Sequence, residues 1–494
     1  MANNILIERG RIQPPVIAAT LAALLGLITV FAVGDRIYSD PDPLLHVAVG
    51  RWIIANRAVP SADVFSHSVL GTAWVPHEWL AEVLMAALYS RFGWGALTLA
   101  TAVSFALTLW IITRSLLRYV GPMAAFSAAI AAWALCVPHL FARPHVFAWP
   151  LLALWIAGLA KARQSDSTPS LVCSVMLVPW ANMHGSYMFG LAIAVLFAAE
   201  AAFQAKDQHD MRSTATQWGL FLFASVFAAS LTPNGITNFL LPFKLTNMPF
   251  ALSWIREWQS PNFQQLHPIE MWLLLLLFAA LVSGVRLPAP RVAILLVLVH
   301  MALQNKRHGE ILGIVSPFVI APAIGTTLRE LESRIGRLIF PAASAIPISS
   351  HVLQKLIILG SFAAATAIVV LQLPKARPAE RWLPIGALEE VAKRGITGPV
   401  FNDYGLGGYL IFVGIAPFID SRADMYGDAF LKRYASLNEL PQILEQYQIT
   451  WTLVRPDSSH SVLLDHLPQW RRIYTDQIAV VHVRDGQIPT SQKN

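Results

Sequence analysis

The chain has 494 residues, a length that could hold two or three soluble domains. Hydrophobic residues make up 55% of it and charged residues only 13%, against about 25% charged in a soluble globular domain. That excludes disorder, and it excludes a soluble enzyme over most of the length. The net charge of +7 is carried by single Lys and Arg residues set between apolar runs. This is the pattern of loops in a polytopic membrane protein rather than of a nucleic-acid-binding face. Cys136 and Cys173 both lie in apolar runs, so they offer neither a disulfide framework nor a thiolate metal site.

In chain order, the first apolar run, Pro15 to Val33, lacks a small-residue cleavage signal and reads as an uncleaved signal anchor. Further spans are predicted near 96–117, 121–139, 145–163, 169–183, 186–203, 217–232, 268–285, 291–305, 309–326 and 352–373. The segment 77–93 reads either as a further span or as an amphipathic helix at the surface. Treated as non-spanning, it leaves about eleven spans with the N-terminus inside. Arg9, Arg11, Arg114, Arg118, Lys161, Arg163, Lys206, Arg212, Arg286, Arg291, Arg329, Arg334, Arg337 and Lys355 then all face the cytoplasm, as the positive-inside rule requires.

After Pro374 the composition turns mixed. Short β-rich runs (GPVFND, YLIFV, APFID, ITWTLV, IAVVHV) alternate with helical patterns (IGALEEVAKRG, SLNELPQILEQY, HSVLLDHLPQW). The expected organisation is a transmembrane domain over 1–374, with a first outer loop at 34–95, followed by an extracytoplasmic α/β domain over 375–494. No internal repeat, Rossmann glycine motif or P-loop is present in the sequence.

This topology gathers the polar motifs on one face. Asp35, Asp40, Asp42 and His46 follow the first span, and His77–Glu78–Trp79 lies in the same loop. Arg143 and His145 begin one later span, and Asn182 and His184 end another; TPNG at 232–235 and Arg256–Glu257 share a further outer loop, and Lys306, Arg307 and His308 stand at a span end. Ionisable groups beside hydrocarbon are costly and are retained for function or pairing. Their shared depth predicts one polar cavity at the outer leaflet. In it, Asp40 and Asp42 could act as a general base or bind a divalent cation such as Mg or Mn through Asp42. Glu78 could be a second carboxylate. Arg143, Arg256, Lys306 and Arg307 could hold a phosphate, and His46, His77, His145, His184 and His308 could position groups or move protons. The bland alternatives are Asp-Pro turns, interfacial histidines, snorkelling cations and aromatic-belt tryptophans. A zinc site at His46, His77 and Glu78 lacks the HExxH spacing.

The stretch DPDPLLHVAVGRWIIANRAVPSADVFSHSVLGTAWVPHEWLAEVL resembles the first outer loop of GT-C-type membrane glycosyltransferases, and in detail a bacterial subgroup with a D-x-D-x-x-x-H…H-E-W-L pattern. ARPHVF, NMHGSYMFGL, TPNG, IREWQSP, NKRHG and FNDYGLGGYLIFVGIAPFIDSRADMYGD are similar to further motifs of that subgroup. The resemblance implies an inverting transferase that moves sugar from a polyprenyl-phosphate-linked donor to a glycan, lipid or protein acceptor. It implies an inner-membrane enzyme acting on the periplasmic side in envelope polysaccharide synthesis, with no nucleic-acid partner. It implies Asp42 as the catalytic carboxylate, Asp40 as the fallback and Glu78 as the second acid; Arg256 and Glu257 are expected among the substrate-binding residues. The alternatives are an O-antigen ligase or polymerase, a transporter and a non-catalytic envelope scaffold. Asp403, Asp420, Arg422 and Asp424 read either as an internal salt-bridge and turn network or as acceptor contacts.

Overall fold

The computed structural model describes residues 14–283, 287–339 and 350–486. Arg9, Arg11 and Arg286 of the predicted cytoplasmic face, and the end of the span predicted at 268–285, lie outside these residues. The fold is mostly helical. The helices in chain order are α1 Pro14–Val33, α2 Asp42–Asn56, α3 Trp79–Leu116, α4 Pro122–Cys136, α5 Pro144–Gln164, α6 Leu177–Met183, α7 Tyr187–Phe203, α8 Gln208–Ala229, α9 Leu241–Thr246, α10 Pro249–Trp254, α11 Pro268–Ser283, α12 Ala289–Gln304, α13 Gly309–Ile339 and α14 Ser350–Gln372. The C-terminal part adds α15 Ile385–Lys393, α16 Gly407–Phe412, α17 Ala423–Ala435, α18 Leu440–Gln446 and α19 Ser459–His466. Its strands are β1 Val400–Asn402, β2 Trp451–Val454, β3 Trp470–Thr475 and β4 Val480–Arg484.

Among the described residues, five helical segments have the length and apolarity to cross a bilayer: Val16–Tyr38, Trp79–Leu116, Pro122–His139, Pro144–Gln164 and Ile358–Lys375. Leu171–Met183, Tyr187–Phe203, Pro268–Val282 and Ala289–Gln304 are shorter apolar helices. The segment predicted as a span at 169–183 is broken into a 3₁₀ turn, Leu171–Met176, and the short α6. The ambiguous 77–93 segment resolves into the first part of α3. Gly93 breaks that helix with a φ of 69°, a backbone conformation open to glycine at little cost. The part before the break packs along α2, where Gly50 lies against the Glu82 carbonyl and leaves no room for a side chain.

The four strands form one sheet in the order β1-β2-β4-β3, with β1 and β2 parallel and the other pairs antiparallel. GPVFND, ITWTLV and IAVVHV supply β1, β2 and β4. YLIFV forms α16 instead, and APFID is an irregular segment. A short apolar run fits either a buried strand or a buried helix, and Gly407 and Gly408 let this one enter as a helix pressed on its neighbours. A side chain at Gly407 would collide with the Ile419 carbonyl.

The C-terminal part shares a hydrophobic core with the segment between α1 and α3. Leu45, Val49, Ile53 and Trp74 from that segment pack in one buried cluster with Phe401, Phe418, Ile419 and Tyr426. Polar ties reinforce the junction. The Ser68 hydroxyl donates to the Phe418 carbonyl at 2.5 Å, and His67 Nε2 lies 2.9 Å from the Val400 carbonyl. Asp428 accepts from the first amides of α10, Phe250 and Ala251, at 3.2 and 2.8 Å.

Candidate active site

The site is built at one end of the bundle from six segments, around residues 40–46, 77–82, 143, 184, 257 and 307. The chain leaves α1 through a 3₁₀ turn, Gly34–Tyr38, and reaches the SDPDP sequence. There Asp40 accepts a hydrogen bond from the Asp42 amide at 2.9 Å, an Asx turn that starts α2. Pro43 follows within the first turn of the helix, where its missing amide hydrogen costs nothing. Asp42 is thereby fixed at the helix start and is 7% exposed. Arg143 precedes α5 in an extended conformation with Pro144 starting the helix, which turns its side chain toward Asp42. The two form an ion pair.

Arg143 is the centre of the cluster. Its Nη1 lies 3.6 Å from Asp40 Oδ2 and donates to Glu257 Oε1 at 2.6 Å. Glu257 reaches on to Arg307 at 3.6 Å, and Arg307 lies 3.5 Å from His184 Nε2. His184 stands 3.5 Å from Glu78, which is 3.7 Å from both His46 and His77. His46 also lies 3.1 Å from Glu82, so its ring is held between two glutamates. Trp79 donates to Asn182 at 2.6 Å and Asn182 to the Leu231 carbonyl at 2.9 Å, which ties three of the sequence motifs together.

The electrostatics follow from burial. Burial raises the pKa of Asp40, and the neighbouring Arg143 charge offsets this only in part. Burial would raise Glu257 too, but Arg143 and Arg307 overcome it and hold that carboxyl at about 2. Burial would weaken Arg143 as a cation, yet Asp40 and Glu257 keep it firmly protonated. Burial lowers His46 against the opposing pull of Glu78, and it lowers His184 with help from the Arg307 charge. His46 and His184 therefore favour the neutral form, beside Glu257 and Arg143, which stay charged.

Other expected residues lie apart. Arg256 is exposed, while its neighbour Glu257 turns inward. Lys306 is half-buried, and its amide donates to the Gln259 carbonyl at 3.0 Å. His308 faces Phe189 and the Met301 carbonyl. His145 lies deeper, with Nε2 2.8 Å from the His139 carbonyl and 3.8 Å from Glu310. Among the described residues, no three His, Cys, Asp or Glu side chains converge as a metal set would, and a divalent cation at Asp42 would have to displace the Arg143 guanidinium. Asp420 and Arg422 form a buried network with Asp63 of the segment between α2 and α3: Arg422 donates to Asp63 at 2.7 Å and to Asp420 at 2.6 Å, and Tyr426 donates to Asp420 at 2.8 Å.

Three participants were not singled out from the sequence. Glu82 lies four residues after Glu78, one helical turn on, and that spacing is the signal that could have found it. Asp63 sits in a loop far from Arg422 in sequence. Tyr404, from the C-terminal part, packs on Trp254 and donates to the Ser421 carbonyl at 3.1 Å; no spacing links it to the site.

No protein-family model matches the sequence, and no curated protein matches it. Solved structures do resemble the fold. The archaeal oligosaccharyltransferase AglB from Archaeoglobus fulgidus, in complex with an inhibitory peptide and a dolichol-phosphate, superposes with a TM-score of 0.55 at 11% identity; the match covers 96% of this chain and 75% of that one. ArnT from Cupriavidus metallidurans in the apo state gives 0.51 at 13% identity, covering 94% and 97%. The chain has the GT-C fold. Within this fold, the acidic, cationic and imidazole groups come from the loop after α1, the starts of α2, α3 and α5, and the loops near 184, 257 and 307.

Proposed function

We propose that the protein is a membrane glycosyltransferase of the GT-C type. It moves a sugar from a polyprenyl-phosphate-linked donor to a glycan, lipid or protein acceptor at the periplasmic face of the bacterial inner membrane, with its N-terminus in the cytoplasm. One observation carries the reading: Asp40 and Asp42 meet Arg143, Glu257 and Arg307 in a single cluster assembled from segments more than 200 residues apart. The AglB structure, which holds a dolichol-phosphate in a related fold, supports the donor class.

In this reading Asp42 accepts the proton of the acceptor hydroxyl. The acceptor oxygen attacks the anomeric carbon from the face opposite the phosphate, and the carbon–oxygen bond to phosphate breaks. The lipid phosphate leaves with the electron pair and the configuration inverts. Arg143 keeps Asp42 ionised, as a base must be before the proton arrives. Because Arg143 is surrounded by carboxylates, Arg307 is the better-placed cation for the departing phosphate: its ion pair with Glu257 is long, and it is partly open over the Trp258 ring. Asp40 is the second candidate base, since burial raises its proton affinity. Glu78, His77 and His46 would line the acceptor.

The test is a structure of the full chain in lipid nanodiscs with a polyprenyl phosphate added. Lipid phosphate density within hydrogen-bond reach of Arg307 and close to Asp42 supports the reading. Lipid bound elsewhere, with Asp42 remote from it, overturns it.

A further inference from the structure

A cavity system lies where α1, α3 and α14 meet, and none of its lining residues belongs to the cluster around Arg143. It has two connected parts. The first is a groove of about 880 Å³ lined by Phe92, Trp94, Leu99 and Val103 of α3 and by Leu373 and Pro374 at the end of α14. The second is a pocket of about 550 Å³ that includes Gly34, Asp35, Lys375, Arg377, Glu380 and Arg381. Ala376 and Arg377 line both. The groove forms because Gly93 breaks α3 and turns it past the end of α14, where Gly95 lies close to the Leu373 carbonyl.

The charges in the pocket do not cancel. Arg381 makes a bidentate pair with Asp35 at 2.5 and 2.6 Å, and the Trp382 indole donates to Asp35 at 3.1 Å. Lys375 and Arg377 line the same pocket as Glu380. Both are exposed, and among the described residues neither has an ion-pair partner. The result is a largely apolar groove that adjoins a pocket carrying two unpaired cations and one carboxylate. α14 itself is barely covered by protein, with 6% of its apolar window buried. Trp382 stands at this end, as aromatic residues do at a membrane interface.

We propose that this junction is a fixed binding site for an anionic glycerophospholipid. An acyl chain lies in the groove between Trp94 and Leu373, and the phosphate sits at Lys375 and Arg377. A zwitterionic lipid carries the same chains without the net charge, so the site selects by headgroup. Each cation near an anionic headgroup is worth about 1 kcal/mol, which corresponds to about fivefold in affinity for one and about thirtyfold for both. A bound lipid would brace the end of α14 against the α3 break, at the point where the chain passes into the C-terminal part.

Native mass spectrometry of the full chain, released from detergent with added phosphatidylglycerol or phosphatidylcholine, tests this. The expected result is one phosphatidylglycerol retained per chain, with phosphatidylcholine held far more weakly. The variant Lys375→Gln/Arg377→Gln should lose about thirtyfold in apparent affinity for phosphatidylglycerol. Val103→Trp, at an exposed groove position, should lose the lipid with both cations intact. Inorganic phosphate should not displace it. Equal retention of the two lipids, wild-type retention by the double variant, or displacement by inorganic phosphate alone would overturn the proposal. The single variants Lys375→Gln and Arg377→Gln, each expected to lose about fivefold, carry the test if the double variant does not fold. None of these readouts depends on transferase activity.

Discussion

Replacing Arg143 with glutamine removes the cation that buried Asp42 and half-buried Asp40 and Glu257 share. Arg143 contacts Asp40, Asp42 and Glu257, and its side chain is 11% exposed. The cost can be worked from Glu257. Its carboxyl moves from an ordinary value of 4.5 to about 2 in the folded protein, held there against burial by Arg143 and Arg307. At about 1.36 kcal/mol per pH unit this is on the order of 3 kcal/mol of stability at neutral pH. It agrees with the roughly 3–5 kcal/mol expected when one partner of a buried ion pair is lost. The sign of the pH dependence follows. A depressed carboxyl stabilises above its unfolded value, and that contribution fades as pH falls from about 4.5 toward 2. In Arg143→Gln the carboxylates are buried without their cation, and acid relieves them by protonation. The gap between the two proteins should therefore be widest at pH 7 and narrow toward pH 4. Thermal unfolding in detergent, followed by tryptophan fluorescence at pH 7 and pH 4.5, reads it directly. Pairing Arg143→Gln with Glu257→Gln should recover part of the loss at pH 7. A pH-independent deficit, or none, would refute the account of Arg143 as the charge centre.

Other consequences are as direct. Arg422→Met strands Asp63 and Asp420 in the interior, 1% and 0% exposed. It should destabilise the chain by about 3–5 kcal/mol and open the C-terminal part to limited proteolysis. Gly408→Ala would place a methyl 2.6 Å from the Pro41 carbonyl oxygen, pushing on the residue before Asp42. A displacement of that order should lower kcat by tenfold to a hundredfold while KM changes little, with unfolding temperature as the control for a merely structural effect. Arg307→Gln should raise KM for the lipid-linked donor by about tenfold, the scale of one charge-assisted hydrogen bond.

Much of this arrangement is legible in the sequence because it rests on local signals. Twenty-residue apolar runs, SDPDP after the first of them, and polar motifs at span ends are all short-range. These signals singled out Asp40, Asp42, Glu78, Arg143, Glu257 and Arg307, which the structure brings into one cluster. They also singled out Arg256, Lys306 and His308, which lie beside it. Neighbours in sequence at a span end point different ways once the loop is built, and single-residue phase is not written in composition. Strand β3 is not legible in the sequence: WRRIYT lacks a strict polar–apolar alternation and has three exposed residues, and pairing with β4 holds it extended. The Asp63–Arg422 pair was out of reach for a similar reason. Its partners are 359 residues apart, and the internal network read for Arg422 from its own stretch gives no pointer to Asp63. Whether Arg143 would face a ligand or a carboxylate also depended on tertiary structure, because a guanidinium suits either.

The central claim is that Asp42 carries the chemistry. Its most direct test is transfer from a synthetic polyprenyl-phosphate-linked sugar, assayed in proteoliposomes and followed by release of polyprenyl phosphate. Wild type and Asp42→Asn would be compared at matched abundance and unfolding temperature, with Asp40→Asn alongside. The account predicts a loss of about 10²- to 10⁴-fold in kcat for Asp42→Asn, with donor binding retained. Turnover by Asp42→Asn at the wild-type rate, or no release of polyprenyl phosphate by the wild type from any lipid-linked sugar, would contradict it.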